Sequence, residues 1–405
     1  MINVITGGVT APRGFVANGI CCGIKSGRTK RDLALIYSKT QCTAASVYTQ
    51  NKVKGAPIAV TKEHLKNGMA SAIVCNSGNA NTCNADGIEK ANLTCEAVAK
   101  ALNISADDVI VASTGVIGQP LPIEPIQKGM PELAAILSRD GSSNAAEAIM
   151  TTDTAEKSIA VSFDIGGREC KMGAIAKGSG MIHPNMATML CFVTTDAAIT
   201  TEMLQKALDA VVADTFNMVS VDGDTSTNDM LSIMANGEAG NTVISAEGEA
   251  YDTFLQALNT VCTYISRLMA KDGEGATKLL ECTVSSAPDI KTARAVAKSV
   301  VTSSLFKAAM FGADANWGRV LCAIGYAEGE FDIDKISVDF ESESGRLAVC
   351  RNGAGIDFDE DFAKQVLSKD EIKILVSMNS GSSSATAWGC DLTYEYVRIN
   401  GDYRS

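Results

Sequence analysis

The chain has almost no histidine: His64 and His183 are the only two among 405 residues. A Ser or Thr hydroxyl at its ordinary pKa needs an adjacent base to attack a carbonyl, so the usual serine–histidine arrangements are nearly excluded. His64 lies in Thr61-Lys62-Glu63-His64-Leu65-Lys66, which reads as a solvated helix face. Basic charge is also short, with 35 Lys+Arg against 47 Asp+Glu and a net charge of −12. That balance argues against a nucleic-acid or anionic-membrane partner, since both require a basic face. No apolar run approaches the length of a membrane span, and the residues from Met1 to Gly8 lack a basic region followed by an apolar one. The thirteen cysteines include no CxxC pair, which argues against a structural zinc site. Their odd number, and apolar settings such as those of Cys75, Cys191 and Cys262, fit reduced thiols in a cytoplasmic protein. Lys177-Gly178-Ser179-Gly180 and Gly23-Ile24-Lys25-Ser26 lack the full GxxxxGK[ST] spacing of a phosphate loop. Internal repeats and low-complexity segments are absent.

What is there is an ordinary globular composition, 46% hydrophobic and 20% charged, in a chain long enough for two or three domains. Short strands are expected at 33–37, 44–48, 71–75 and 109–111. A helix is expected at 87–103, where Ile88, Ala91, Cys95, Val98, Ala99 and Leu102 recur at helical spacing. Further helices are expected at 130–138 and 144–150. Strict alternation at Ile159, Val161, Phe163 and Ile165, then Gly166-Gly167, marks a hairpin returning toward Ile175. After a strand at 189–194, a stripe from Leu204 to Val212 is capped by Thr200 or Thr201. A second stripe, Phe254 to Leu268, ends near Lys271-Asp272-Gly273. From about 283 the character shifts to a long helix at 290–308 and short strands at 336–340 and 372–378, consistent with a smaller C-terminal domain at approximately 283–395. The cluster Ser220 to Asp229 reads as turn and N-cap chemistry.

The most informative stretch runs from Lys177 to Cys191: Lys-Gly-Ser-Gly-Met-Ile-His-Pro-Asn-Met-Ala-Thr-Met-Leu-Cys. Glycines and a proline lead to Ala187-Thr188, and a buried strand follows. Thr188 is placed to act as a nucleophile if the chain cuts itself between Ala187 and Thr188. A threonine that becomes N-terminal carries its own base, because an α-amine with a pKa near 8 is partly neutral at pH 7. His183 falls on the leaving side of that cut. The same residues also fit a plain turn before a strand that Thr188 merely opens, and spacing alone leaves both open. Ser113-Thr114-Gly115, at a strand end, fits either a plain turn or backbone N–H groups aimed at an oxyanion.

Lys177 to Cys191 resembles the self-cleavage segment of the ornithine acetyltransferases, the bifunctional glutamate N-acetyltransferases of arginine biosynthesis. Asn76-Ser77-Gly78-Asn79-Ala80-Asn81, Ser113-Thr114-Gly115-Val116-Ile117-Gly118, Met150-Thr151-Thr152-Asp153-Thr154, Gly273-Glu274-Gly275-Ala276-Thr277-Lys278 and Tyr396-Val397-Arg398-Ile399-Asn400 resemble further blocks of that family, in its order along the whole chain. The resemblance implies a layered α/β fold, an αββα-type sandwich akin to N-terminal-nucleophile hydrolases. It implies an α-chain (1–187) and a β-chain (188–405), paired as an α2β2 heterotetramer. It assigns Thr188 as nucleophile and Thr114 with Gly115 as oxyanion hole. Thr151, Lys177, Thr188, Glu274, Asn400 and Ser405 are the matching substrate-binding positions. Many relatives end in Thr where this chain ends in Ser405, which keeps the hydroxyl. The implied reaction moves acetyl from N-acetylornithine to glutamate through an acetyl-enzyme, without metal or bound organic cofactor. Some members also take acetyl from acetyl-CoA, and these residues do not distinguish the two kinds. A peptide or amide hydrolase on the same scaffold is the alternative.

Overall fold

In the computed structural model, which describes residues 1–25, 27, 29–183 and 189–401, the strands fall into two sheets. In chain order the strands are β1 (Asn3–Ile5), β2 (Phe15–Ile20), β3 (Leu33–Tyr48), β4 (Met69–Asn76), β5 (Val109–Ser113), β6 (Lys157–Ile165), β7 (Arg168–Lys177), β8 (Leu190–Thr195), β9 (Val219–Ser220) and β10 (Met230–Ala235). They continue as β11 (Leu279–Ala287), β12 (Ser337–Ser342), β13 (Gly345–Arg351), β14 (Ala354–Gly355), β15 (Glu371–Ser377) and β16 (Ser383–Cys390). The helices are α1 (Ala56–His64), α2 (Gly87–Leu102), α3 (Ile123–Ala135), α4 (Ser142–Ile149), α5 (Thr201–Asp214), α6 (Glu249–Lys271), α7 (Ile290–Thr302), α8 (Ser304–Phe311), α9 (Trp317–Gly325), α10 (Glu360–Leu367) and α11 (Tyr394–Gly401). One sheet runs β1-β6-β7-β8-β10-β3-β4-β5, with β2 also on β3; the other runs β14-β13-β12-β15-β11-β16-β9. This is the expected mixed, layered α/β class.

The hairpin of β6 and β7 forms where alternation predicts it, pairing Ile165 with Arg168. Gly166 and Gly167 turn it at φ +60° and +80°, the double left-handed turn that matches strand twist. Helix α6 lays Phe254, Leu258, Val261, Ile265 and Met269 in one buried stripe. It packs on β6 and β7 of the first sheet and on β11 and β16 of the second, so one helix wedges both sheets. Phe254 meets Phe163 of β6 edge-on, with ring centroids 6.3 Å apart. Among the described residues no helix is long and apolar enough to cross a membrane.

Several elements differ from expectation. The strands expected at 33–37 and 44–48 are one sixteen-residue strand, β3, continuous through a register shift on its β4 side between Tyr37 and Cys42. The helix expected at 130–138 is α3, which starts at Ile123 and holds Pro131 in its interior. Pro125 falls in its first turn, where the missing N–H has no helical partner in any case. The helix expected at 290–308 is two helices: the chain breaks at Ser303, whose side chain accepts from Phe306 N and caps α8. The second sheet starts earlier than the composition shift at 283, because β11 begins at Leu279 and β9 joins from Val219.

Because Phe254 is fully buried, Phe254→Ala is expected to cost about 3–5 kcal/mol, read as a lowered denaturation midpoint of the whole chain.

Candidate active site

Three neighbouring strands bring the site together. Leu190, which opens β8, is paired with Lys177 at the end of β7 and with Met230 at the start of β10. Between β7 and β8 the chain carries the segment singled out in the sequence. Ala187 and Thr188 lie outside the described residues, as does Ser405. The other six expected site residues, Thr114, Gly115, Thr151, Lys177, Glu274 and Asn400, all line one cavity of about 140 Å³. Met189, bonded to Thr188, lines it too. Residues from five separate parts of the sequence thus meet at the mouth of β8.

Thr114 follows β5, and its backbone N–H donates to Asn76 O at 2.9 Å. Its amide is therefore spoken for, and its hydroxyl is what it presents to the cavity, with Lys177 Nζ donating to Oγ1 at 3.4 Å. The Gly115 N–H has no acceptor among the described residues. A hydroxyl and a backbone N–H side by side form a two-donor site for a developing oxyanion. Asn76 sets the loop facing it, accepting from Gly78 N and Asn79 N at 3.2 and 3.0 Å and donating to Ser113 Oγ. Glu274 stands just past α6, its N–H donating to Ser179 O. Its carboxylate accepts from Asn400 Nδ2 of α11 at 2.9 Å. Gly180 allows this approach, since a Cβ there would lie 2.3 Å from the Glu274 carboxylate.

A buried charge cluster braces these parts. Asp153 Oδ1 accepts from Lys157 Nζ and from Gly178 N, both at 2.7 Å, and Oδ2 accepts from Thr151 N at 3.1 Å. Lys157 also pairs with Asp272, the C-cap of α6, two residues before Glu274. Burial pushes the Asp153 carboxyl up, but Lys177, Lys157 and the Gly178 N–H outweigh it and hold it down at about 2. Burial, with Lys298 adding, pushes His183 down to about 4, so its ring is neutral at pH 7; its Nδ1 lies 3.1 Å from Ser220 Oγ. A larger surface groove of about 650 Å³ lies elsewhere, and its Arg267, Lys271 and Lys373 are paired with Glu281, Glu371 and Glu341.

The sequence reading missed two features. Ser226, Thr227, Asn228 and Asp229 are cavity wall rather than ordinary turn. Asn228 Nδ2 donates to Ser113 O at 2.9 Å, tying the approach to β10 to the end of β5. Their signal was a polar run directly before an apolar strand. Lys157, 1% exposed, offered only its position four residues after Asp153.

Lys157→Met leaves Asp153 and Asp272 buried without their shared partner, an expected loss of about 3–5 kcal/mol. A carboxyl held below its unfolded value stabilises the fold above that value and loses this contribution as pH falls through the folded one. For Asp153 the window is about pH 4 to 2. The variant's acid-unfolding transition, followed by circular dichroism, is expected at higher pH than that of the wild type.

Comparison with known proteins gives the chain's family. Residues 16–405 match the ArgJ family. The arginine biosynthesis bifunctional protein ArgJ 1 of Clostridium acetobutylicum is 52% identical over 392 residues, 96% of either chain. The arginine biosynthesis bifunctional protein ArgJ of Caldanaerobacter subterraneus subsp. tengcongensis is 50% identical over 405 residues, the whole of both chains. A crystal structure of the Bacillus halodurans ArgJ protein, 45% identical, matches with a TM-score of 0.51 over all of that chain and 53% of this one. With a family match from residue 16 to the last residue and half of all positions shared with a full-length relative, the chain belongs to the ArgJ family.

Proposed function

We propose that the chain is an acetyltransferase of arginine biosynthesis that cuts itself between Ala187 and Thr188 and then carries acetyl on Thr188 from N-acetylornithine to glutamate. The observation behind this is the meeting of Thr114, Gly115, Lys177 and Glu274 around the mouth of the strand that follows Thr188. Thr188 attacks the acetyl carbonyl, and its own freed α-amine takes the hydroxyl proton. The Thr114 hydroxyl and Gly115 N–H hold the tetrahedral oxyanion. Ornithine leaves with the proton, and the α-amine of glutamate then attacks the ester. Both substrates are zwitterionic amino acids. Lys177 and Glu274 offer charges of both signs, with Thr151, Asn400 and Ser405 completing the hold. The cut is supported by the Bacillus halodurans protein, whose whole solved chain spans 53% of this one, about the share from Thr188 to Ser405.

The names of the relatives, ArgJ bifunctional proteins of arginine biosynthesis, support acetyl transfer over hydrolysis. The relatives are named bifunctional, and acetyl-CoA is the second acetyl donor we propose, as a co-substrate rather than a bound cofactor. The processed chains are expected to stay together as α2β2 in the cytoplasm, because β7 and β8 remain paired across the cut.

Intact mass and N-terminal sequencing of the purified protein test the first step: two chains are expected, the second beginning Thr-Met-Leu-Cys. Glutamate-dependent release of ornithine tests the second, and turnover that ignores glutamate sinks acetyl transfer in favour of hydrolysis. Thr114→Val is expected to lower kcat about 100- to 1000-fold, whereas Thr114→Ser keeps the hydroxyl and most of the rate. Glu274→Gln is expected to raise the KM for N-acetylornithine about tenfold or more, the loss of a hydrogen bond to a charged group.

A further inference from the structure

A second cavity, of about 400 Å³, lies at the starts of α1 and α2 and the loops that lead into them. It is tied to the wall of the first. Gly55 N donates to Thr227 O at 3.0 Å and Thr82 Oγ1 donates to Asn228 Oδ1 at 2.5 Å, and Thr227 and Asn228 line the cavity that holds Thr114 and Lys177.

The lining of the second cavity is one-sided in charge. Lys54 and Lys62 stand on it and no Asp or Glu does, in a chain of net charge −12. Neither lysine has a carboxylate partner among the described residues. Lys62 Nζ sits over the Tyr48 ring, 4.9 Å from its centre, and burial, followed by the charge of Lys54, lowers its pKa. Helix α2 opens onto the same space. Its N-cap, Asp86, makes no side-chain capping bond. The N–H groups of Ile88, which lines the cavity, and of Glu89 have no acceptor among the described residues. An open helix start beside two ammonium groups favours an anion.

Asn81 is the independent mark of a ligand. It lines the cavity and is 1% exposed. Its Nδ2 donates to Gly87 O at 2.8 Å, which fixes the orientation of the amide and leaves Oδ1 as an acceptor. Oδ1 has no hydrogen-bond partner among the described residues. It stands where the two helix starts meet: a Cβ added to Gly87 would lie 3.1 Å from Oδ1 and 2.9 Å from Ala56 Cβ. A buried acceptor left unmet costs stability, and a donor brought by a ligand removes that cost.

Resting on the acetyl-transfer reading above, we propose that this cavity binds an N-acyl amino dicarboxylate, the class that includes N-acetylglutamate, the product of the proposed reaction. Its two carboxylates answer Lys54, Lys62 and the start of α2, and its amide N–H answers Asn81 Oδ1. A free amino acid suits the site less, because its ammonium would stand among the lysines. The enzyme thus holds its product a second time, against residues tied to the wall of the site that makes it.

Cys83 lines the cavity and is exposed, so its alkylation by N-ethylmaleimide reads the site directly. Labelling is followed by peptide mass spectrometry, with the exposed Cys21 and Cys322 as controls. Labelling follows the ligand-free fraction, so N-acetylglutamate at about ten times its dissociation constant is expected to slow it about tenfold at Cys83 and not at the controls. Glutarate keeps both carboxylates but lacks the N–H, and is expected to protect about tenfold less tightly. Lys54→Gln with Lys62→Gln is expected to weaken protection about 100-fold or more while the thermal melt stays native. Labelling of Cys83 that ignores N-acetylglutamate overturns the site, as does full protection in the double variant. Glutarate or inorganic phosphate protecting as well as N-acetylglutamate overturns the N-acyl dicarboxylate assignment. Should Cys83 resist the reagent, isothermal titration calorimetry decides: one binding event fewer in the double variant supports the site, and identical isotherms overturn it. A chain that protects Cys83 yet makes no N-acetylglutamate from glutamate sinks acetyl transfer and supports the site. Turnover without protection overturns the site alone.

Discussion

The site hangs on one buried carboxylate. Asp153 holds the backbone of Thr151 on one side and of Gly178 on the other, and its partner Lys157 reaches on to Asp272 at the end of α6. That chain of contacts joins the turn before β6, the end of β7 and the loop bearing Glu274. The first two flank the open end of the β6–β7 ladder, and the brace ties to them the Glu274 loop, about a hundred residues further on. Two acids around one lysine, nearly dry, are costly to assemble, and such a cluster is tolerated only when its hydrogen bonds are complete. Every oxygen of Asp153 is engaged, so the cluster acts as a rigid brace rather than a weak point.

The electrostatics of the cavity divide along the same line. Asp153 is surrounded by cations and N–H groups and stays ionised. Asp229, which lines the cavity, is buried with Oδ2 unmatched among the described residues, and burial pushes its carboxyl well above the ordinary value. Two buried aspartates near the site are thus shifted in opposite directions, by what faces them and not by the residue type. Lys177 lies between them and acts on both.

Local pattern was enough to read most of the elements. The β6–β7 hairpin, α2, α5 and α6 follow from periodicity, because each buries one face and nothing interrupts its register. It failed where a long-range partner overrides the local signal. The continuity of β3 is decided by pairing with β10 and β4, and the break at Ser303 by a capping hydrogen bond invisible to hydropathy. Six of the expected site residues came from the resemblance of short motifs to those of a family, not from local pattern, and they line one cavity. Lys157 and Asp229 came from neither. An isolated lysine or aspartate in sequence looks like a solvated surface residue, and only tertiary burial gives it a different chemistry.

The proposed cut, between two neighbouring strands, would have a further consequence. β7 and β8 are hydrogen-bonded along their length, and before cutting a short connection closes one onto the other. Closing such a loop is a first-order event with a modest entropy cost. With the connection severed as proposed, the same pairing in an unfolded sample would become a bimolecular encounter that weakens on dilution. On that reading the precursor would fold alone, while the processed enzyme, once unfolded, would have to find its other half. A protein so processed would be guarded by the slowness of its unfolding more than by its equilibrium stability, its folding history written irreversibly into a single missing peptide bond.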